Sequence, residues 1–360
     1  MINMKIIVNQ KTLNDVLKDI SKINKRSNIK IVTDNDYVEL IVTHNYVSHT
    51  FKLDSVILEQ GEFKLTLDSI INIVDMFEEG KELTLIVKDD KLFIENSFVK
   101  FVDFPEVVNN SVDIQGDFRM PGASLKKAIN KVKHAISKDE TKMILCGVLF
   151  KQTENGIDVV SLDGYRMVVH TIEDVDMNGL DDIVIYGEDL KITEKFIKKN
   201  SNDLIKINVY SDRVEFILDN KKLSARIIEG EFIGYNKLIP DNHTTEFKAN
   251  TKDIKDKLSK TNKMKFKNKY NLVKLYIRQD KIDIKVKNEE QSVETETYIN
   301  DFCGDILNIA FNNKYLLDIF KVIDDKEVYI GLTTNVNQIL IEETDAKYIL
   351  LPIRVCGEDF

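Results

Sequence analysis

Lysines are the residues of this chain best placed to do chemistry. Eight fall between Lys252 and Lys269, against two acids, Asp253 and Asp256. Ser124 to Lys138 carries Lys126, Lys127, Lys131, Lys133 and Lys138 and no acid. Lys191, Lys195, Lys198 and Lys199 stand against Glu194, and Lys18, Lys22, Lys25 and Arg26 cluster earlier. A lysine ammonium binds phosphate as a point charge and reads no base edge. Arginines are few and tryptophan is absent, so stacking on single strands is not indicated. The fitting partner is duplex DNA, gripped by its backbone without sequence preference. The candidate contacts are Lys22, Lys25, Arg26, Lys126, Lys127, Lys131, Lys133, Lys138, Lys195, Lys198, Lys199, Lys252, Lys255 and Lys260.

Other chemistry leaves no comparable pattern. The histidines, His44, His49, His134, His170 and His243, show no metal-ligand spacing. Cys146, Cys303 and Cys356 are far apart and form neither a disulfide framework nor a Cys-x-x-Cys site. No Gly-x-Gly pair, phosphate loop or Gly-x-Ser-x-Gly elbow is present. The default for each of the 60 acids is a solvated surface carboxylate. The chain is therefore expected to be no enzyme and to need no cofactor or metal.

The formal charge of the 360 residues is −9, from 51 basic and 60 acidic side chains. That sum argues against a nucleic-acid binder only if charge is evenly spread. Basic helices in an acidic chain imply one positive face and one negative face. No apolar run approaches the roughly 20 residues of a membrane span, and Met1 to Lys5 lacks a signal-peptide layout. A reducing cytoplasm, in association with the nucleoid, is the expected location.

The elements that would carry these lysines repeat. One pattern, strand, helix, strand, occurs from Glu62, from Asp182 and from Ile306. Its helices are expected up to Glu79, over 190–199 and over 314–323. The acids that follow them, Glu82, Asp203 and Glu327, are 121 and 124 positions apart. An earlier helix also recurs, led by Lys11, Ser124 and Thr251. Leu13, Val16, Leu17 and Ile20 form one buried stripe, as do Leu125, Ala128, Ile129 and Val132. Ser124 and Thr251 are expected at N-caps. Segments such as Tyr37 to Thr43 and Leu272 to Ile277 read as half-buried strands. The fold class is α+β, with three repeats, each two helices packed on antiparallel sheet. Gly116 to Gly122 and Pro240 to His243 are read as breaks in regular structure. The boundaries give units of 1–118, 119–246 and 247–360.

Several motifs then meet a known family. Ser161-Leu-Asp-Gly-Tyr-Arg-Met-Val-Val169 resembles the Thr-Asp-Gly-His-Arg-Leu segment of the bacterial DNA polymerase III beta subunits, the sliding clamps. The stretch Ile228 to Pro240 resembles their Asp-Gly-x-Phe-Pro-x-Tyr…Pro segment, and Tyr348 to Val355 their Met-Pro-Met-Arg-Leu ending. Asp103-Phe-Pro105 and Cys146-Gly-Val-Leu-Phe150 also fit. The resemblance implies a head-to-tail homodimer closed into a ring, helices lining the hole, that encircles duplex DNA and tethers the replicative polymerase. It implies further partners in the clamp loader and other clamp-binding proteins. It also implies a partner-peptide cleft at Leu145, Leu162, Gly164, Tyr165, Arg166, Met167, Pro240, Ile349, Leu351, Pro352, Ile353 and Arg354. The implied dimer contact is Phe104 of one subunit against Met264 and Phe266 of the other. Edge strands of the first and third repeats would pair across that junction.

Departures from the family pattern are local. Leu162 stands where the family has Thr, and Tyr165 where it has His. No Pro-Ile-Leu segment is recognisable around Ser27 to Val32, and Cys356 to Phe360 extend past the usual end. The alternative reading is a monomeric clamp-like adaptor that binds proteins and no DNA. Solution mass separates the two.

Overall fold

The computed structural model describes residues 2–34, 36–44, 46–105, 113–198, 203–263, 271–288 and 290–355. Lys199, Met264, Phe266 and the tail from Cys356 lie outside them. The described helices are α1 (Gln10–Ile23), α2 (Leu67–Val74), α3 (Gly122–Val132), α4 (Gly187–Phe196), α5 (Thr251–Thr261) and α6 (Asn313–Val322). All strand pairing is antiparallel, giving the α+β class.

Three of the helix starts, those of α1, α5 and α6, follow one local rule. An asparagine in extended backbone ends a strand, and its side-chain oxygen accepts an amide of the first turn. Asn9 takes Lys11 N, Asn250 takes Asp253 N, and Asn312 takes Lys314 N and Tyr315 N. The cap of α5 is thus Asn250 rather than Thr251, and Ser124 lies inside α3. α1 buries Leu13, Val16, Leu17, Ile20 and Ile23, the stripe that the 3.6-residue period requires.

The chain forms two compact units. The first comprises Met1–Lys126, Asp176–Leu180 and Glu188–Ile227. It holds a five-stranded sheet in the order Ser55–Glu59, Ile2–Asn9, Glu82–Lys88, Lys91–Ile94, Ser97–Lys100. Its eight-stranded sheet runs Gly116–Pro121, Leu204–Val209, Arg213–Leu218, Lys221–Arg226, Val47–Leu53, Val38–His44, Asn28–Thr33, Glu62–Thr66. Gly116–Pro121 is therefore a strand, not a break. It is an edge strand, where a terminal proline removes no ladder bond that is needed.

The second unit comprises Lys127–Val175, Asp181–Gly187 and Ile228–Phe360. One twelve-stranded sheet runs through it, and Arg166–Glu173 beside Ala346–Leu350 joins its two parts. Phe247, Ile254, Leu258, Leu316 and Phe320 pack α5 and α6 onto this sheet.

The element order repeats three times along the chain: strand, helix, three strands, further strand, helix, three strands, with one additional strand, Ser55–Glu59, after the fourth strand of the first repeat. Each crossing between repeats uses the same two members. The fourth strand of the first repeat (Val47–Leu53) pairs with the last of the second (Lys221–Arg226). The fourth strand of the second (Arg166–Glu173) pairs with the last of the third (Ala346–Leu350).

Candidate partner groove and nucleic-acid interface

A row of apolar side chains crosses four neighbouring strands of the second unit. Leu162 pairs with Met167, Met167 with Ile349, and Ile349 with Leu340. Alternation puts all four on one face. They join Leu145, Leu149, Val160, Val169, Val184 and Tyr235 in one buried cluster. Ile144, Ile228, Phe232, Ile239 and Tyr329 pack against it while remaining partly open to solvent. The result is an apolar floor with an apolar, half-exposed rim. Tyr235 is fixed by its hydroxyl, which donates to Asp158 Oδ2 at 2.6 Å. Burial and that carboxylate hold the phenol well above its ordinary pKa.

A tight turn stands at one end of the floor. Gly164 has φ +86°, a left-handed conformation that glycine adopts without strain. Asp163 Oδ1 accepts from the amides of Tyr165 and Arg166, both at 3.0 Å. Arg166 Nε donates to Asp163 Oδ2 at 2.9 Å and its Nη1 to Asp318 Oδ2 at 3.3 Å. Its guanidinium also lies 4.2 Å from the Tyr315 ring centre. Tyr165, 61% exposed, sits 6.1 Å from that ring, so two tyrosines and an arginine form a wall.

The chain's last segment borders this turn. Leu351 N donates to Tyr165 O at 2.8 Å, and Leu351 is 45% exposed. Pro240 continues the rim after Ile239 and is half-buried. Pro352 is half-buried as well. Ile353 N is bonded to Ala310 O, and Arg354 is exposed. Leu145, Leu162, Met167 and Ile349 thus form floor, and Gly164, Tyr165, Arg166 and Leu351 form wall and edge.

The cationic candidates divide by what their ammonium groups already touch. In the first unit Lys195 Nζ donates to Lys22 O at 2.9 Å, bringing the ends of α4 and α1 together. Lys22, Lys25, Arg26 and Lys198 are exposed around them, where helix C-termini favour cations. Lys126 Nζ donates to the carbonyls of Glu194 and Ile197. Lys138, Lys252 and Lys260 are exposed, and Lys133 and Lys255 half-buried. Lys127 bridges Asp345 and Asp324.

Lys131 is the correction. Its side chain is 1% exposed, and its ammonium lies 2.6 Å from Glu343 and 3.0 Å from Asp324. A lysine so enclosed and neutralised reaches no phosphate. The lysine-rich helix spends this charge in the interior, because position 131 flanks the apolar stripe of α3 and is covered by Glu343. Of the proposed dimer contacts, Phe104 is half-buried under Lys64, whose Nζ lies 5.3 Å from the ring centre.

Comparison with known proteins decides the family. Residues 119–233 match the central domain of the DNA polymerase III beta subunit, and residues 236–354 match its C-terminal domain. The chain belongs to the DNA polymerase III beta subunit family. These are the beta sliding clamps, non-catalytic processivity factors of DNA replication. The beta sliding clamp of Rickettsia bellii is 24% identical over 98% of this chain and all of its own. That of Haemophilus influenzae is 19% identical over 82% of this chain and 83% of its own. Among solved structures, the Bacillus subtilis sliding clamp superposes with a TM-score of 0.90 at 22% identity, covering 98% of this chain and 100% of that one. A DNA polymerase III beta subunit described as putative, from Eubacterium rectale, gives 0.88 at 21% identity with the same coverage.

Beside the clamp motifs, sequence reasoning missed several groove residues. Val169 could have been found by counting two along the strand from Met167; Leu149 and Val169 are the cross-strand partners of Val160. Tyr315 and Asp318 lie three apart on α6, a spacing visible in the sequence, but only the fold brings that face to Arg166. Among the described residues no helix is long and apolar enough to cross a membrane. Nor do three or more His, Cys, Asp or Glu side chains converge as a metal would need, again among the described residues.

Proposed function

We propose that two copies of this chain close head-to-tail into a ring that encircles duplex DNA and tethers the replicative polymerase. The observation that carries this reading is the repeated junction rule. Fourth strand pairs with last strand at both crossings, which leaves one of each unused. The last strand of the first repeat, Ser97–Lys100, is a sheet edge, and Phe98 on it is 47% exposed. The fourth strand of the third repeat is paired on one side only over 292–298, and Tyr298 there is 69% exposed. A second copy would pair these edges by the same rule. The three repeats, taken as 1–118, 119–246 and 247–360, then become six domains around one hole.

Lys22, Lys25, Arg26, Lys195, Lys198, Lys252 and Lys260 are the free or shared cations that would face DNA. Contact through water-screened lysines holds a duplex without fixing a position on it. The groove around Leu145, Leu162, Met167 and Ile349 would take apolar anchors of polymerase, clamp-loader and repair partners. Tethering makes each polymerase rebinding intramolecular, which raises its effective concentration at the template. The site of action would be the DNA in the cytoplasm.

Sedimentation equilibrium tests the oligomer. The reading expects twice the 41.6 kDa chain mass at micromolar concentration, reduced to one chain by Tyr298→Glu. A parent protein that is monomeric would support the adaptor reading instead. The groove is tested with a fluorescein-labelled polar peptide ending in Leu-Phe. Leu351→Ala with Ile353→Ala should abolish its binding and leave the dimer intact, and unchanged affinity would refute the groove.

A further inference from the structure

The groove floor depends on which way one strand faces. Ala346–Leu350 sends Ile349 to the floor and Tyr348 to the opposite side. Successive strand residues point to opposite faces, so a slip of one residue would put Tyr348 in the groove. The flanking apolar residues do not prevent that slip by themselves, because Ile349 and Leu350 are both aliphatic.

Tyr348 carries the device that does. It is fully buried, and its hydroxyl donates to Glu343 Oε1 at 2.5 Å. The same oxygen accepts from Lys131 Nζ at 2.6 Å. The other carboxylate oxygen, Oε2, accepts from Asp324 N at 2.9 Å. The Glu343 side chain is 1% exposed, so its charge has protein partners in place of water. The ring of His134 stacks on Tyr348 at 6.3 Å between centroids. Ser161 Oγ donates to Val132 O at 2.7 Å, tying the end of α3 to the strand that supplies Leu162.

We infer that Lys131, Glu343 and Tyr348 form a buried clasp that sets the register of the final strand and so positions Ile349 and Leu351 at the partner groove. A buried phenol needs an acceptor, and Glu343, opposite Ala346 and so on the same face two residues along, offers one to position 348. Lys131 and the Asp324 amide hold that acceptor still. The three are positioning residues, acting on the partner through the strand. This inference rests on the groove reading above.

The test uses the full chain in three forms. Tyr348→Phe removes only the hydroxyl. Lys131→Met with Glu343→Leu exchanges the ion pair for an apolar pair of similar volume, a change that commonly keeps or raises stability. Lys127→Met removes the neighbouring exposed lysine as a control. Thermal melting, amide hydrogen exchange at Leu351 and Ile353, and affinity for the Leu-Phe peptide are measured on each. Tyr348→Phe should melt near the parent and the Met/Leu form, which leaves the Tyr348 hydroxyl without its acceptor, somewhat below it; in both, exchange at Leu351 should rise and peptide affinity should fall, each about tenfold, the scale of one buried hydrogen bond. Lys127→Met should change neither. If the Met/Leu form keeps parental protection and affinity, the clasp is only structural and the inference is overturned. A parent protein that ignores the peptide removes the groove reading, while the exchange difference still decides the clasp.

Discussion

At the first crossing between repeats, Phe51 pairs with Lys221 and Thr50 with Lys222, and side chains complete the joint. Ser224 Oγ donates to Ser48 O at 2.8 Å, and Ser224 N donates to His49 Nδ1 at 3.3 Å. At the second crossing the ladder runs unbroken from Arg166 opposite Leu350 to His170 opposite Ala346. There the side chains are ions: Lys131 and Glu343 buried within, with Asp324, Lys127 and Asp345 toward the surface beside them. One topological rule is thus served between the paired strands by neutral hydrogen bonds at the first crossing, with the Arg226–Asp189 ion pair at the strand's end, and by a buried ion pair, Lys131–Glu343, at the second. Neutral bonds tolerate loss of a partner at modest cost. A buried ion does not, because its remaining partner is left charged and dry. The second crossing also ends in the groove, where a fixed register matters most.

The difference predicts unequal responses. Lys131→Ala should have the largest effect, about 3–5 kcal/mol from the stranded Glu343. Chemical denaturation, with hydrogen exchange at 346–350 to localise the change, measures it. An effect near zero would remove the contrast.

Acid should act next, at the first crossing. Burial holds the His49 imidazole at a pKa of about 3, below its ordinary 6.5. Protonation would turn the Nδ1 acceptor into a donor facing the Ser224 N–H. The folded-state pKa is depressed, so the neutral ring's contribution is complete above pH 6.5 and is lost as pH falls toward 3. His49→Asn keeps an acceptor at that place and cannot titrate. Its stability should fall less between pH 6.5 and 4 than the parent's, and parallel curves would contradict the assignment.

Smaller effects should follow. Ser224→Ala removes one buried hydroxyl bond and should cost about 1 kcal/mol. Lys127→Met removes two partly exposed ion pairs, to Asp345 and Asp324, and should change stability by less than about 1 kcal/mol. A Lys127 effect as large as that of Lys131 would mean that burial is not what separates the two lysines.

Much of this fold is legible in the sequence because local periodicity carries it. The α1 stripe and the strands Leu272–Ile277 and Glu327–Leu332 stand where the pattern puts them. Helix starts were harder. Thr251 reads as the cap of α5, and only the backbone conformation selects Asn250 instead. Gly116–Pro121 looks like a break because two breakers flank a short apolar pair, yet Leu204–Val209 gives it a partner. In the groove, the strand residues followed from the motifs, whereas Tyr315 and Asp318 required the tertiary approach of α6. Lys131 shows the limit most clearly. A lysine among lysines reads as surface, and the acid that buries it lies 212 positions away.

The central claim is topological, and one measurement addresses it. The protein is loaded onto nicked circular duplex DNA, and its release is followed before and after a single restriction cut. The account predicts slow release from the circle and rapid release once the DNA is linear. Equal release from both forms would contradict it.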